Sequence, residues 1–201
     1  MSDLDFSVRS EIPELAGAVS ALSARAFGPG RFARSAYRVR EGMLPVQELC
    51  LTGWHEGRLA GSIRFTAVSV GGVEGALLLG PLVVEPEFVG CGCGRKLIRE
   101  GLERAARLGY RVVLLVGNMP YYGRFGFAPV QPGQIQFPGP VDPARILAVE
   151  LEAGALARYG GLVRGAVQRP SRNQVNDMAP SSTASARKPE KSGIRRTPRV
   201  I

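Results

Sequence analysis

One stretch of this sequence limits the possible folds more than any other. An apolar run ends at residues 82–84, Glu85-Pro86 interrupts it, and glycines follow at positions 90, 92 and 94 before a segment with helical periodicity. A strand, a glycine turn and a helix N-terminus together direct unpaired backbone N–H groups toward one point, where the helix dipole adds partial positive charge. The stretch therefore predicts an anion-binding site, or else an ordinary strand-to-helix connection that needs flexible residues.

Two common nucleotide-binding motifs do not fit the spacing. A P-loop requires a hydroxyl residue directly after its lysine, but Lys96 is followed by Leu97. A dinucleotide fingerprint starting at Gly90 would require glycine at Arg95, and one starting at Gly92 would require glycine at Leu97. A Gly-x-Gly turn after a strand remains.

This turn and a second motif together resemble the coenzyme-binding half of the GNAT superfamily of N-acetyltransferases. In that family a strand is followed by Gln/Arg-x-x-Gly-x-Gly/Ala, and Tyr-x-x-x-Gly-Phe lies further along the chain. Gly92 and Gly94 match the two small positions, and residues 122–127 match the second motif in full. The resemblance covers residues 79–127 and is to a bacterial single-domain branch with Tyr-Tyr-Gly-Arg-Phe-Gly-Phe at this point.

The resemblance implies that the region binds acetyl-CoA as a co-substrate. The turn would hold the pyrophosphate, and the preceding strand would hold the pantetheine arm. Val89 replaces the usual Gln or Arg, and Cys91 replaces an Arg, so we expect weaker coenzyme binding through backbone donors alone. The predicted coenzyme-binding residues are Leu82, Val83, Val84, Val89, Gly90, Cys91, Gly92, Cys93, Gly94, Arg95 and Asn118.

Tyr122 is the predicted catalytic residue, because the resemblance implies that this tyrosine protonates the departing thiolate. A phenol with an unperturbed pKa near 10 roughly matches an alkyl thiol, so proton transfer between them needs little driving force. The alternative is that Tyr121, Tyr122, Phe125 and Phe127 only form an aromatic cluster. Asn118 either hydrogen-bonds the pantetheine or caps the turn that follows it.

The sequence does not identify a general base. Glu74 and Glu85 lie at opposite ends of the predicted central strand, and a chain of water molecules is an equal alternative. His55, the only histidine, lies at a predicted hairpin turn and is expected at the surface. Cys91 and Cys93 have no nearby histidine or further cysteine to complete a tetrahedral site, so no metal is expected.

Hydrophobic periodicity predicts an α/β domain over residues 1–167, with a mixed central sheet flanked by helices, and the resemblance implies that the sheet is mostly antiparallel. Pro81 cannot donate to a β-ladder, so the central strand is expected to bulge or splay at Gly80-Pro81 and expose backbone groups to the pantetheine. Arginines in the second helix are expected mostly on a solvated face, although the resemblance implies that the first two helices wall the acceptor site. Predicted strands cover residues 6–9, 48–54, 58–68, 76–84, 111–116, 127–130 and 146–151, and predicted helices cover residues 11–27, 31–40 and 92–108, with a short helical segment from residue 120.

The positive charge is concentrated near the C-terminal end of the chain. The net charge is +9, and residues 169–201 contribute eight basic and two acidic side chains. Apolar periodicity ceases there, so residues 168–201 are predicted to form a disordered basic tail. No apolar run approaches the ~20 residues of a membrane helix, the first residues lack a secretion signal, and three cysteines suit a reducing compartment. We therefore expect a cytoplasmic protein without a membrane partner.

The combined prediction is an acetyl-CoA-dependent N-acetyltransferase that moves an acetyl group directly to an amine of a small molecule or protein. The acceptor and the oligomeric state cannot be predicted from the sequence. One alternative is a non-catalytic acyl-CoA-binding or regulatory module. The other is a nucleic-acid-associated protein, which would bind weakly and in a salt-dependent manner through the basic tail.

Overall fold

The fold is built around a mixed β-sheet. A computed structural model describes residues 4–27 and 35–166 of the chain. The strands are β1 (Ser7–Ser10), β2 (Leu51–His55), β3 (Arg58–Val70), β4 (Val73–Val84), β5 (Val112–Val116), β6 (Ala128–Pro129), β7 (Ile135–Gln136), β8 (Ile146–Glu150) and β9 (Gly161–Gly165). The sheet order is β1-β2-β3-β4-β5-β8-β6, with β9 paired to β3 and β7. Among these strands β4–β5 and β7–β9 are parallel, and the other pairs are antiparallel.

Four α-helices accompany the sheet in the described residues: α1 (Ala16–Phe27), α2 (Ser35–Arg40), α3 (Cys93–Arg107) and α4 (Met119–Tyr122). Helix α3 forms because its apolar residues recur on one side, so Leu97, Ile98 and Ala105 are buried against β2 and β3. Gly109 adopts a positive φ of 81° just beyond the end of α3, as a glycine that terminates a helix commonly does. Helix α1 packs against β3 and β4.

Alternating residues of the central strands place a hydrophobic core on each face of the sheet. Val113 and Leu115 of β5 join the cluster that α3 covers, whereas Val112 and Leu114 join a second cluster on the opposite face. Tyr159 is buried in that second cluster and donates its hydroxyl to the Glu74 carbonyl at 3.0 Å. The sheet is therefore covered on both sides, as expected for its predominantly apolar strands.

The central feature for function is the divergence of β4 from β5. The two strands pair only over Ala76–Leu78 of β4 and Val112–Leu114 of β5, although β4 continues to Val84. Gly80 and Pro81 form a bulge in the pairing of β4 with β3, which shifts register between Leu79 and Leu82. The predicted fold class, including the splayed central strand, is confirmed.

Some predicted elements differ in extent. The strand predicted over residues 48–54 begins at Leu51, because Gln47–Leu49 form a 3-10 turn whose Leu49 is buried. Strand β9 was not predicted, since its sequence Gly-Leu-Val-Arg-Gly has little alternating character. Only Ser35–Arg40 of the helix predicted over residues 31–40 falls within the described residues. The predicted tail, residues 168–201, lies outside them.

Candidate active site

The glycine turn presents backbone donors at the N-terminus of α3. Gly90 and Gly92 have φ values of 83° and 108°, a region in which a side chain would be strained. The first hydrogen bond of α3 runs from the Lys96 N–H to the Gly92 carbonyl. Among the described residues, no backbone carbonyl accepts from the N–H groups of Gly92, Cys93 and Gly94. These donors and the dipole of a 15-residue helix suit a phosphate group.

The two motifs found in the sequence contact each other directly. A Cβ added at Gly94 would lie 2.7 Å from the Tyr121 hydroxyl and 3.5 Å from Cγ2 of Val84. Glycine at position 94 therefore lets α4 approach both the start of α3 and the splayed part of β4. The hydroxyl that reaches the turn belongs to Tyr121, the neighbour of the predicted catalytic residue.

The turn lies close to the sheet because small residues meet there. A Cβ on Gly53 would be 2.6 Å from Sγ of Cys93, and one on Gly61 would be 2.7 Å from the Val83 carbonyl oxygen. Cys93 is buried, and burial raises its pKa to about 12. Cys93 can therefore serve a coenzyme only through its backbone, whereas Cys91 is partly accessible.

A cavity of about 1080 Å³, here called the central cavity, opens where β4 and β5 separate. Helix α1 contributes Ser20 and Ser23 to its wall, and the ends of β4 and β5 contribute Leu82 and Asn118. Hydroxyl, carbonyl and guanidinium groups on the wall make the cavity suitable for a polar molecule. Other lining residues are Phe27, Ser35, Tyr37, Arg40, Glu41, Arg64, Thr66, Leu79, Gly80, Pro81, Tyr121, Tyr122, Asp142 and Arg145.

Tyr122 lines the central cavity and is held within an aromatic cluster. Its ring packs edge-on against Tyr121 with centroids 4.9 Å apart, and against Phe127 at 5.8 Å. A Cβ on Gly117 would lie 2.4 Å from the Tyr122 ring, so glycine is needed at the end of β5. Burial raises the pKa of Tyr122 to about 12, while the nearby Arg40 cation opposes that rise. The phenol is therefore fully protonated at neutral pH.

Arg40 departs from the prediction that the arginines of this helix are mostly solvated. Its Nη2 donates to the Leu79 carbonyl at 2.9 Å, and its Nε is buried. Leu79 is the first residue of β4 beyond the pairing with β5, so Arg40 satisfies a carbonyl next to the splay. Helical periodicity alone could not identify Arg40, because the surface that buries it is assembled from β4 and the cavity wall.

The remaining predicted coenzyme residues lie along the splayed strand and the turn. Leu82 lines the central cavity, Val84 faces Gly94, and Val83 is buried. Val89 is 61% exposed at the turn, and Arg95 is partly accessible in the first turn of α3.

Asn118 occupies the N-cap position of α4, but its side chain makes no capping hydrogen bond. Its backbone carbonyl accepts instead from the N–H groups of Tyr121 at 3.0 Å and Tyr122 at 3.1 Å. The exposed side chain lines the central cavity. This geometry favours the first of its two predicted roles, hydrogen bonding to a bound molecule.

The carboxylates considered as a general base lie away from the central cavity. Glu85 is paired with Arg25 at 2.5 Å, and neither Glu85 nor Glu74 contributes to the cavity wall. His55 also lies elsewhere, with its Nδ1 2.8 Å from the Asp5 carbonyl and its ring against Phe6. The carboxylates that do line the cavity, within the described residues, are Glu41 and Asp142.

The described part of the chain has neither a metal-ligand cluster nor a membrane-spanning helix. Residues 4–27 and 35–166 contain no group of three or more His, Cys, Asp or Glu side chains placed to hold a metal ion. None of the helices in this part of the chain has the length and apolar character that crossing a bilayer requires.

Comparison with known proteins relates this arrangement to acetyltransferases. Residues 18–127 match the model of the acetyltransferase (GNAT) family. The chain is 36% identical over 119 residues to "uncharacterized N-acetyltransferase YjhQ" of Escherichia coli strain K12, a match covering 58% of this chain and 65% of YjhQ. It is 33% identical over 121 residues to "uncharacterized N-acetyltransferase YhbS" of the same strain, covering 60% of this chain and 72% of YhbS. The matches thus span about two thirds of each relative's length.

Two solved structures share the fold and hold the coenzyme or its acetylated form. The structure of E. coli YhbS in complex with CoA superposes with a TM-score of 0.68 at 29% identity, covering 81% of this chain and 91% of YhbS. A GNAT family acetyltransferase from Brucella melitensis in complex with acetyl-CoA gives a TM-score of 0.52, also at 29% identity. That match covers 72% of this chain and 95% of the Brucella protein.

Proposed function

The chain belongs to the acetyltransferase (GNAT) family, and from this we propose that it transfers an acetyl group from acetyl-CoA directly to an amine. The observation that carries the proposal is the splay of β4 from β5, because the splayed residues lead from Leu82 on the cavity wall to Val84, which lies beside Gly94 of the donor-rich turn. An extended molecule can enter such a gap as a substitute strand, because none of the described strands pairs with that edge of β4 beyond Leu78. The structures of YhbS with CoA and of the Brucella protein with acetyl-CoA support acetyl-CoA as the donor.

The coenzyme would bind mainly through backbone groups. Its pyrophosphate fits the N–H groups of Gly92, Cys93 and Gly94, and its pantetheine arm fits the free edge of β4 at residues 79–84. Val89 and Cys91 supply no charge, so Arg95 and the helix dipole provide the nearby positive potential. The thioester then reaches the cavity between Leu82 and Asn118.

Tyr122 is the proposed general acid of the transfer. Attack of the neutral amine on the thioester carbonyl forms the C–N bond, and cleavage of the C–S bond releases the CoA thiolate. Tyr122 lines the cavity in its protonated form and is thus able to give that thiolate a proton. Tyr121, whose hydroxyl lies at Gly94, is the neighbouring candidate and serves as the natural control.

Glu41, acting through water, is the proposed base that accepts the proton of the amine. Asp142 already accepts the N–H of Ala144 at 3.0 Å and caps a 3-10 turn. Glu41 lines the cavity and is exposed, so a proton can pass from the amine through water to its carboxylate.

The polar cavity and the family favour catalysis over a non-catalytic coenzyme module or a tail that binds nucleic acid.

An acceptor screen tests the proposed function. Purified protein is incubated with acetyl-CoA and a panel of primary amines, and free thiol is followed together with the N-acetyl product by mass spectrometry. We expect thiol release that depends on one class of amine and is matched by acetylated product. Tight binding of acetyl-CoA without turnover of any amine would favour the non-catalytic module instead.

A further inference from the structure

Three arginines line the central cavity. Arg145 is exposed to solvent, whereas Arg40 and Arg64 are partly buried and differ in their charge partners. Arg64 Nε donates to Oε2 of Glu11 at 2.8 Å, and its Nη2 donates to Oε1 of the same carboxylate. This hydrogen-bonded pairing raises the pKa of Arg64. Arg40 has no carboxylate within ion-pair distance among the described residues, and its recorded hydrogen bond goes to the neutral Leu79 carbonyl.

The surroundings of Arg40 leave its positive charge poorly compensated. Nε is buried and has no hydrogen-bond partner within residues 4–27 and 35–166, and burial lowers the pKa of Arg40 to about 10. A cation taken out of water is normally paired, because the loss of hydration is costly without an opposite charge. The part of Arg40 that remains accessible lines the cavity, so an anion bound there would supply the missing charge.

The position of Arg40 indicates that this anion would be part of the acceptor and not of the coenzyme. Arg40 lies on α2 and shares the cavity wall with Ser20 and Ser23 of α1. The coenzyme turn, residues 89–95, is not part of this wall, and its phosphate donors lie at the start of α3 behind the Tyr121 hydroxyl. The pyrophosphate therefore does not account for the unpaired guanidinium.

We propose that Arg40 binds a carboxylate of the acceptor, and that the substrates are small amines carrying a carboxylate group. This inference rests on the proposed acetyl transfer. A guanidinium offers a planar fork of donors that matches a carboxylate, and the neighbouring serine hydroxyls can hydrogen-bond the rest of a polar molecule. A site built to hold one polar group rejects the analogue that lacks it.

A purely structural role for Arg40 makes a different prediction. If Arg40 serves only to satisfy the Leu79 carbonyl, its replacement weakens the fold and slows transfer to every amine alike. If Arg40 binds the acceptor, the loss depends on whether the amine carries a negative charge. The charge dependence of the acceptor therefore separates the two roles.

The experiment compares amines in matched pairs. Amino acids and ω-amino carboxylic acids are each paired with their carboxamide, and kcat/KM is measured for transfer from acetyl-CoA, corrected to the neutral amine. We expect the wild-type protein to prefer the acids, and Arg40→Met to lower kcat/KM for the acids roughly 10- to 100-fold, mainly through KM. The matched carboxamides share the loss of the Leu79 hydrogen bond and of the charge near Tyr122, so the readout is a larger loss for each acid than for its carboxamide.

Two further variants keep the test decisive. Arg38→Met removes an exposed arginine from the same helix. Arg38 does not line the cavity, so this variant should leave the preference for acids intact. Arg40→Lys keeps a donor for the Leu79 carbonyl but loses the fork, so it should retain the melting temperature and still lose most of the preference. It decides the question if Arg40→Met does not fold.

Four outcomes would overturn the inference. Wild-type protein that uses carboxamides as well as acids would do so, as would an Arg40→Lys protein that keeps the full preference. A stronger preference for aminoalkyl phosphonates than for the matched carboxylates would replace the carboxylate by a different anion. Failure to acetylate any amine, neutral or acidic, would instead overturn the proposed function and this inference with it.

Discussion

Tyr122 combines burial with access to the central cavity. Burial raises its pKa to about 12, which by itself would make it a weaker acid than an ordinary phenol. Burial disfavours the charged form of a thiol as well, so a thiolate that leaves in a site shielded from water has its pKa raised in the same direction. The pKa values of the acid and of the leaving thiol therefore remain close to each other inside the site.

Replacing Tyr122 by Phe should lower kcat roughly 10²- to 10⁴-fold, because the ring remains and one proton donor is lost. Affinity for acetyl-CoA should change much less, since the loss belongs to the transition state. The acid form exists below its pKa, so in the wild-type protein this group should cause no fall in rate until the pH approaches about 12. Single-turnover rates from pH 6 to 10 check these expectations.

Tyr121→Phe is the matched control, because it removes a hydroxyl from the adjacent ring of the same cluster. Wild-type turnover in Tyr122→Phe, with chemistry rate-limiting, would assign the proton to another donor. A large loss confined to Tyr121→Phe would identify that donor as the hydroxyl at Gly94.

Residues of the site differ in how far sequence could identify them. Gly92 and Gly94 were recognisable because the turn needs positive φ or close approach, which local sequence records. Arg40 was not, because its environment is formed by Leu79 and Gly80, far away in the chain. Spacing within a motif reports local backbone demands, whereas the charge balance of a cavity depends on the assembled fold.

Helix α3 carries a glycine in its interior, which would ordinarily weaken it. The reason is close packing: a Cβ at Gly101 would lie 2.6 Å from the Cε2 and Cζ atoms of Phe65 on β3. Phe65 is fully buried, so its ring has little room to move. The glycine thus sets how closely the coenzyme-binding helix approaches the sheet.

Gly101→Ala should therefore destabilise the protein by about 1–3 kcal/mol, the usual cost of overpacking a core, despite the better helix propensity of alanine. Gly17→Ala in α1 is the matched control, because no atom lies within 4 Å of the added methyl group. That variant should be unchanged or stabilised by up to about 1 kcal/mol. Urea unfolding of both proteins measures the difference, and a stabilised Gly101→Ala would show that α3 can shift freely.

The sequence predicted that β4 would splay near Gly80-Pro81, but not where its pairing with β5 would end. Proline in a central strand indicated a break at Gly80-Pro81, and the bulge lies there. The pairing of β4 with β5 already ends at Leu78, before Gly80-Pro81, while β5 continues to Val116 in pairing with β8. Where two strands part depends on both of them, and the sequence of β4 alone records only its own contribution.

Strand β9 ties the end of the described chain to the middle of the sheet. Val68, Ser69 and Val70 of β3 pair with residues 163–165, and Val163 is fully buried. Its short glycine-flanked sequence gave no strand pattern, so tertiary pairing rather than local preference forms it. Directly after β9, Ala166 donates its N–H to the Ala67 carbonyl of β3 at 3.0 Å.

Two truncations test the predicted domain boundary. Removing residues 168–201 should leave the melting temperature and the affinity for acetyl-CoA nearly unchanged, because β9 and its contacts are retained. Removing residues 161–201 should lower the melting temperature clearly, since it deletes β9 and the buried Val163. Equal destabilisation by both truncations would place the domain boundary further toward the C-terminus.

Binding of acetyl-CoA at the turn before α3 is the step on which the proposed transfer depends, and calorimetric titration measures it directly. Gly92→Asp puts a carboxylate where the pyrophosphate is expected and should weaken binding by at least about 1–2 kcal/mol. Gly109→Asp introduces the same residue at a similar positive φ at the other end of α3, and should leave affinity unchanged. Wild-type affinity in a folded Gly92→Asp protein would place the coenzyme elsewhere.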